Sequence, residues 1–354
     1  MNKNTQEKAV KERKYYLELL RVIAILLVMY NHSPAFMSFQ NQSGVEYGIS
    51  VFLSMLCKAA APVFFMISGA LLLGKDESIG TVFRKRVLKI FLALILFSFL
   101  YYLKLVLKGE MTFSLLFFFN LILKLPIFIP YWYMYAYLAF LVLLPLLRPI
   151  ARHMTKEITL YLIALQIIFG VLLQILGNET GWWFCGYFDL TPIFHITIFY
   201  PLVGYGLDHT MDEKTIRNKK LLLLNLLLPI VGVGYGLLVY HDYLKNGVYS
   251  EFFLGFAVST VALLLFWDAK ALFQICHPSE RFKKVTAFMG DKVFGMYLLE
   301  GFLGTGGAMD IIFNTISPYL GFLPAYLIEI VIIFGIRLVG ITILKKIPLI
   351  KSVL

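Results

Sequence analysis

Charge is scarce in this chain. Asp, Glu, Lys and Arg make up 15% of its 354 residues and 60% are hydrophobic, whereas soluble domains carry about 25% charged residues. That balance, with a mean hydropathy of +0.79, argues against a water-soluble enzyme, a disordered chain or a nucleic-acid-binding domain. Acidic residues are the scarcer sign, 21 against 32 basic, for a net charge of +11. Such an excess would raise the question of nucleic acid, but the basic residues fall in short clusters between long apolar runs. That is the pattern of a polytopic membrane protein, with lipids and no nucleic acid as its surroundings. Cysteine is nearly absent as well. Cys57, Cys185 and Cys276 lie far apart without a CxxC pair or metal-ligand spacing, which leaves no basis for a disulfide framework or a zinc site.

Long apolar runs are what the chain has in abundance. A helix needs about 20 mainly apolar residues to cross a bilayer, because its backbone polar groups must be satisfied internally. Ten stretches qualify: 16–36, 48–73, 87–107, 129–147, 158–177, 190–208, 221–241, 250–268, 286–303 and 322–344. The expected fold class is therefore all-α, a polytopic membrane helix bundle of about ten transmembrane helices. One transmembrane domain over 15–345 lies between short tails, 1–14 and 346–354. The first stretch is too long for a cleaved signal peptide and is followed by further spans.

The basic residues orient the bundle. Lys3, Lys8, Lys11, Arg13 and Lys14 precede the first span. Alternate connections carry Lys75, Arg84, Lys85 and Arg86; Arg148, Arg152 and Lys156; Lys214, Arg217, Lys219 and Lys220; and Lys270, Arg281, Lys283 and Lys284. Lys345, Lys346 and Lys351 follow the last span. The opposite side has only Lys104, Lys108, Lys124 and Lys245. This asymmetry predicts both termini in the cytoplasm and an even number of crossings.

Ionisable residues at membrane depth are costly, and each is a functional candidate by default. The first span holds Glu18, Arg21 and His32. At about 100° and 1.5 Å per residue, Arg21 and His32 share a face and stand ~16 Å apart along the axis. Glu18 and Arg21 are placed to pair. Arg84, Arg86 and Lys89 mark the cytoplasmic entry of the third span, with Lys292 and Arg337 also in the inner half. Glu300 and Glu329 fall in the outer half, and Lys58 lies between the zones. A cationic inner vestibule suits a polyanionic donor such as a coenzyme A thioester. A histidine deeper in suits proton abstraction from a hydroxyl, with a carboxylate to orient it. Each residue also has a plainer role: Arg84, Lys85 and Arg86 as topology determinants, Arg21 as a snorkelling arginine, His32 as a packing histidine. Pro130-Tyr131-Trp132-Tyr133 also reads as an interfacial aromatic belt.

Five segments in order resemble the acyltransferase 3 family of integral membrane acyltransferases: Glu18-Leu-Leu-Arg21 with His32, Ala61 to Ser68-Gly69, Phe83-Arg84-Lys85-Arg86 to Ile90, Pro130-Tyr131-Trp132-Tyr133-Met134-Tyr135 running on through Leu143 to Leu147, and Gly290-Asp291 to Leu299. The resemblance covers nearly the whole chain. It implies an O-acetyltransferase-like enzyme of the cell membrane that takes an acyl group, usually acetyl, from cytoplasmic acyl-CoA. The acceptor would be a hydroxyl of a cell-surface or lipid-linked carbohydrate, as in polysaccharide O-acetylation. Acyl-CoA would be a co-substrate, and no cofactor would be bound permanently. The family's essential arginine and histidine fall on Arg21 and His32. Its third-span basic motif falls on Arg84 and Arg86, with Lys89 beside them, and its tryptophan on Trp132. Ser68 and Lys58 are expected near the donor and substrate path. Two departures stand out: Val293 replaces a serine, and Glu300 replaces the histidine that commonly ends the ninth-span motif. Glu300 would have to take over that residue's part in catalysis. Ten spans with buried charges also fit a glycan or lipid transporter, or an inactive export component on the same fold.

Overall fold

A computed structural model of the chain describes residues 13–33, 44–182, 185, 188–216, 226–247, 252–304 and 308–353. Lys3, Lys8, Lys11, Arg217, Lys219 and Lys220 lie outside them, as do the ends of the first, seventh and eighth apolar stretches. Every regular element among the described residues is helical. In chain order these are α1 (Tyr15–Asn31), α2 (Gly44–Lys58), α3 (Ala60–Leu72), α4 (Ile79–Val82), α5 (Leu88–Leu107), α6 (Leu115–Lys124), α7 (Trp132–Arg152), α8 (Lys156–Ile167), α9 (Leu173–Thr180) and α10 (Phe199–His209). They continue with α11 (Glu213–Ile216), α12 (Leu227–Asn246), α13 (Phe252–Cys276), α14 (Glu280–Gly290), α15 (Val293–Leu298), α16 (Glu300–Leu303), α17 (Ala308–Leu320), α18 (Phe322–Leu344) and α19 (Pro348–Val353). The chain is a polytopic helical bundle.

Seven helices among the described residues are long and apolar enough to cross a membrane: Gly44–Leu72, Ile79–Leu107, Ile129–Arg152, Lys156–Gly177, Leu227–Asn246, Ala257–Cys276 and Phe322–Leu344. The other three expected spans differ in a common way. The first is helical for 17 residues and ends at Asn31. The sixth becomes helical only at Phe199. The ninth is divided into α14, α15 and α16. Interrupted backbone at membrane depth is tolerated where it is covered by protein or lines a cavity. α1 and the divided ninth segment both border the cavity described below.

Local chemistry sets many helix starts. Ser78, Ser114, Thr155 and Ser279 accept from backbone N–H groups at the starts of α4, α6, α8 and α14. Such caps satisfy donors that a helix cannot pair itself. A π turn at Phe83–Val87 joins α4 to α5. Its extra residue changes which side chains face inward.

α1 sits centrally and touches α2, α3, α13, α14, α15 and α18. α3 and α10 cross at close range: a Cβ on Gly69 would lie 1.9 Å from the Pro201 carbonyl oxygen, and one on Gly204 would lie 2.3 Å from that of Met66. Small residues at such a crossing let the backbones approach, which is how helices pack without water to drive them together. Past the last span, α19 packs against α5 and buries Val353.

Candidate functional site

A cavity of about 440 Å³ opens between α1, α2, α3, α7 and the divided ninth segment. It is bordered by Arg21 of α1, His32 just past the end of α1, Lys58 of α2, Ser68 of α3 and Trp132, which begins α7. These five residues, singled out in the sequence for depth or motif, thus share one space. Its aromatic wall is Phe64, Trp132, Tyr133, Tyr137, Phe294 and Tyr297.

Each side chain is placed by local structure. Arg21 donates to Glu18 Oε2 at 2.9 Å, one turn away on α1. Glu18 is buried and also receives Arg13 Nε at 3.2 Å. The backbone of α14 passes tightly against this group, since a Cβ on Gly290 would lie 2.3 Å from Glu18 Oε2. Ser68 donates to the Phe64 carbonyl one turn back at 2.8 Å. That bond keeps the hydroxyl on the helix surface at the cavity wall.

His32 caps the C-terminus of α1, with its backbone N–H reaching the Val28 carbonyl at 3.1 Å. Its Nδ1 lies 3.5 Å from Glu300 Oε1. That is about half an ångström beyond a formed N–H···O bond. Glu300 is 1% exposed and binds Arg337, which is fully buried and donates also to the Leu303 carbonyl at 3.1 Å. The sequence places Arg337 in the inner half, apart from the outer carboxylates. Packing brings the two zones together, because the long arginine side chain reaches from α18 to the start of α16. His32, Glu300 and Arg337 therefore form one line of alternating base, acid and cation.

Two reciprocal tyrosine bonds hold the far wall. Tyr131 donates to the Leu298 carbonyl at 2.7 Å, and Tyr297 donates to the Pro130 carbonyl at 2.6 Å. The Tyr133 ring stands 5.8 Å from both Tyr137, stacked, and Tyr297, edge-on.

The basic residues of the third span divide. Arg84 is exposed and does not border the cavity. Arg86 grips Glu77 with both arms, Nε at 2.9 Å and Nη2 at 2.6 Å. The buried Arg148 joins the same carboxylate at 2.7 Å. Hydrogen bonding from Arg86 is the largest reason that the Glu77 carboxyl is held down at about 2. Arg86 is thus committed to a brace between the α3–α4 connection and α7. Lys89 sits one turn into the third span, within electrostatic reach of Asp291 and Lys345.

Some contributors carry no signal in the sequence. Asn31 and Cys57 border the cavity and approach one another, Cys57 Sγ to Asn31 Oδ1 at 3.5 Å. Nothing but the fold distinguishes Asn31 from any polar residue at a helix end. No group of three or more His, Cys, Asp or Glu placed to hold a metal ion occurs among the described residues.

No curated protein and no solved structure matches the chain. The family described as an acyltransferase domain matches residues 14–345, a stretch that includes all of the cavity's borders. The five ordered motifs and this match agree: the chain belongs to the acyltransferase 3 family and is a multi-pass membrane acyltransferase.

Proposed function

We propose that the enzyme works in the cell membrane and moves an acyl group, in the first place acetyl, from cytoplasmic acyl-CoA to a hydroxyl of a cell-surface or lipid-linked carbohydrate. The observation that carries this reading is that Arg21 and His32, ~16 Å apart along α1, border the same cavity. An acyl thioester entering past Arg21 can meet an acceptor beside His32. The aromatic wall offers ring faces to a sugar, with His32 and Lys58 supplying polar partners.

His32 acts as general base. With Nδ1 turned to Glu300, Nε2 is the nitrogen left to take the acceptor proton. The acceptor oxygen attacks the thioester carbonyl and the C–S bond breaks. The departing thiolate takes the proton back from the imidazolium, so no net proton is consumed. Two features favour the transient imidazolium: the ionised Glu300 beside it and the negative end of the α1 dipole at its C-terminus. Arg337 offsets the cost of a carboxylate at this depth. Arg21 polarises the thioester end of the donor, and Ser68 and Trp132 line its path. Transient acyl transfer to the imidazole is the variant of this scheme in which His32 is itself the nucleophile.

The test is His32→Ala, checked for normal expression and membrane insertion, with mass spectrometry of surface glycans. We expect acetylation to fall to the level of cells lacking the protein. Unchanged acetylation removes the mechanism, and intact transport of an unmodified glycan would restore the transporter reading.

A further inference from the structure

The charges gathered around Asp291 and Arg21, two residues that border the cavity, hold more positive charge than the carboxylates among them can neutralise. Asp291 lies at the break between α14 and α15 and borders the cavity. Lys345 donates to its carbonyl at 2.8 Å and to its Oδ2 at 3.0 Å. Lys292 and Arg13 are also within electrostatic reach of this carboxylate, and Lys89 shares its surroundings. Together with Arg21, these are Arg13, Lys89, Lys292 and Lys345 against two acids, Glu18 and Asp291. Glu18 is already shared by Arg13 and Arg21, so the excess is three positive charges among the described residues.

The cations also keep bonding capacity. An ammonium has three donors, and Lys345 uses two of them on Asp291. Lys292 donates to the Phe288 carbonyl at 3.0 Å. Asp291 is 62% exposed at its side chain, so the group meets solvent on one side and the cavity on the other.

We propose that Lys345, Lys292 and Lys89, with Arg13 behind them, bind the phosphates of the nucleotide end of acyl-CoA. The inference rests on the donor assigned under Proposed function and moves the phosphate contacts away from Arg84 and Arg86. Arg86 is held by Glu77, which lies away from the cavity, whereas Lys345 is bonded to Asp291, which borders it. An anionic lipid headgroup shares the phosphate chemistry. Continuity of Asp291 with the cavity that holds His32 favours the nucleotide, whose thioester arm must pass inward from this point.

The experiment uses the full-length protein in phosphatidylcholine nanodiscs and measures equilibrium binding of adenosine 3′,5′-bisphosphate. This probe has nucleotide phosphates and no thioester, so it reads the site independently of catalysis. We expect saturable binding, weakened about fivefold by Lys345→Gln or Lys89→Gln, restored by Lys345→Arg and unchanged by Lys156→Gln. No binding to the native protein, or equal binding to Lys345→Gln, overturns the proposal. So does displacement of the probe by phosphatidylglycerol in the disc, which would give the cations to a headgroup. A second arm compares acetyl-CoA with S-acetylpantetheine, which lacks the nucleotide. Lys345→Gln is expected to raise KM about fivefold for the first donor only; a matched rise for both would make Lys345 structural and overturn the assignment. If neither donor turns over while the probe binds, the donor reading fails and the phosphate site stands.

Discussion

Among the described residues two carboxyl groups, Glu300 and Glu329, are at most 1% exposed, and the structure treats them in opposite ways. Glu300 binds Arg337 and approaches His32. Glu329 is 0% exposed, and neither of its oxygens has a hydrogen-bond partner among the described residues. Arg337 and Glu329 share α18, eight residues apart, yet the guanidinium turns to the next segment and takes Glu300. A lone carboxylate is costly in such surroundings, and no cation bonds to Glu329 among the described residues. Glu300 has a cation buried beside it. Depth alone therefore does not separate the two carboxyl groups; a buried counter-charge does. A third carboxylate, Glu77, has two arginines, but it is 22% exposed and braces the cytoplasmic end.

This contrast can be broken from several sides. Arg337→Leu leaves Glu300 charged and unpaired; thermal unfolding in detergent should show a loss of about 3–5 kcal/mol, and acyl transfer should disappear. If Arg337→Leu keeps both, Glu300 does not depend on its partner. Arg148→Ala frees one side of Glu77 and should cost about 1–3 kcal/mol in the same measurement, with transfer by correctly folded protein retained. Acid should act on Glu77 as well. Its carboxyl is held at about 2 against an ordinary 4.5. The brace therefore stabilises fully above pH 4.5, and its contribution drains away as pH falls toward 2. Allowing for screening of a partly exposed group, that is about 1–2 kcal/mol, visible as a smaller acid sensitivity in Glu77→Gln. The smallest effect belongs to Glu329→Gln, expected within about 0.5 kcal/mol of the native protein and fully active. A large loss there would show that Glu329 is charged and paired after all.

Much of this was legible in the residues. Long apolar runs imply the helices because lipid leaves the backbone no other partner. The eleven-residue spacing of Arg21 and His32 correctly places them on one face, since within a single helix geometry follows from counting. Glu18 pairs with Arg21 for the same reason. The pairing of Glu300 with Arg337 was not legible: 37 positions separate them, and only the packing of α16 on α18 decides which cation meets which acid. Arg84 and Arg86 look equivalent in the sequence. They part because the π turn and the nearby Glu77 send Arg86 to one place and leave Arg84 in another. The division of the ninth span was half legible: its first break falls on Asp291 and Lys292, which interrupt the apolar run, whereas its second, at Leu299, follows apolar residues without a marker.

The crossed tyrosine bonds at the far wall have a mechanical consequence. Tyr131, just before α7, donates to the α15 backbone, and Tyr297 of α15 donates back to the Pro130 carbonyl, so each element holds the other by a bond of opposite direction. Any opening of the cavity that parted α7 from the ninth segment would have to break both bonds at once.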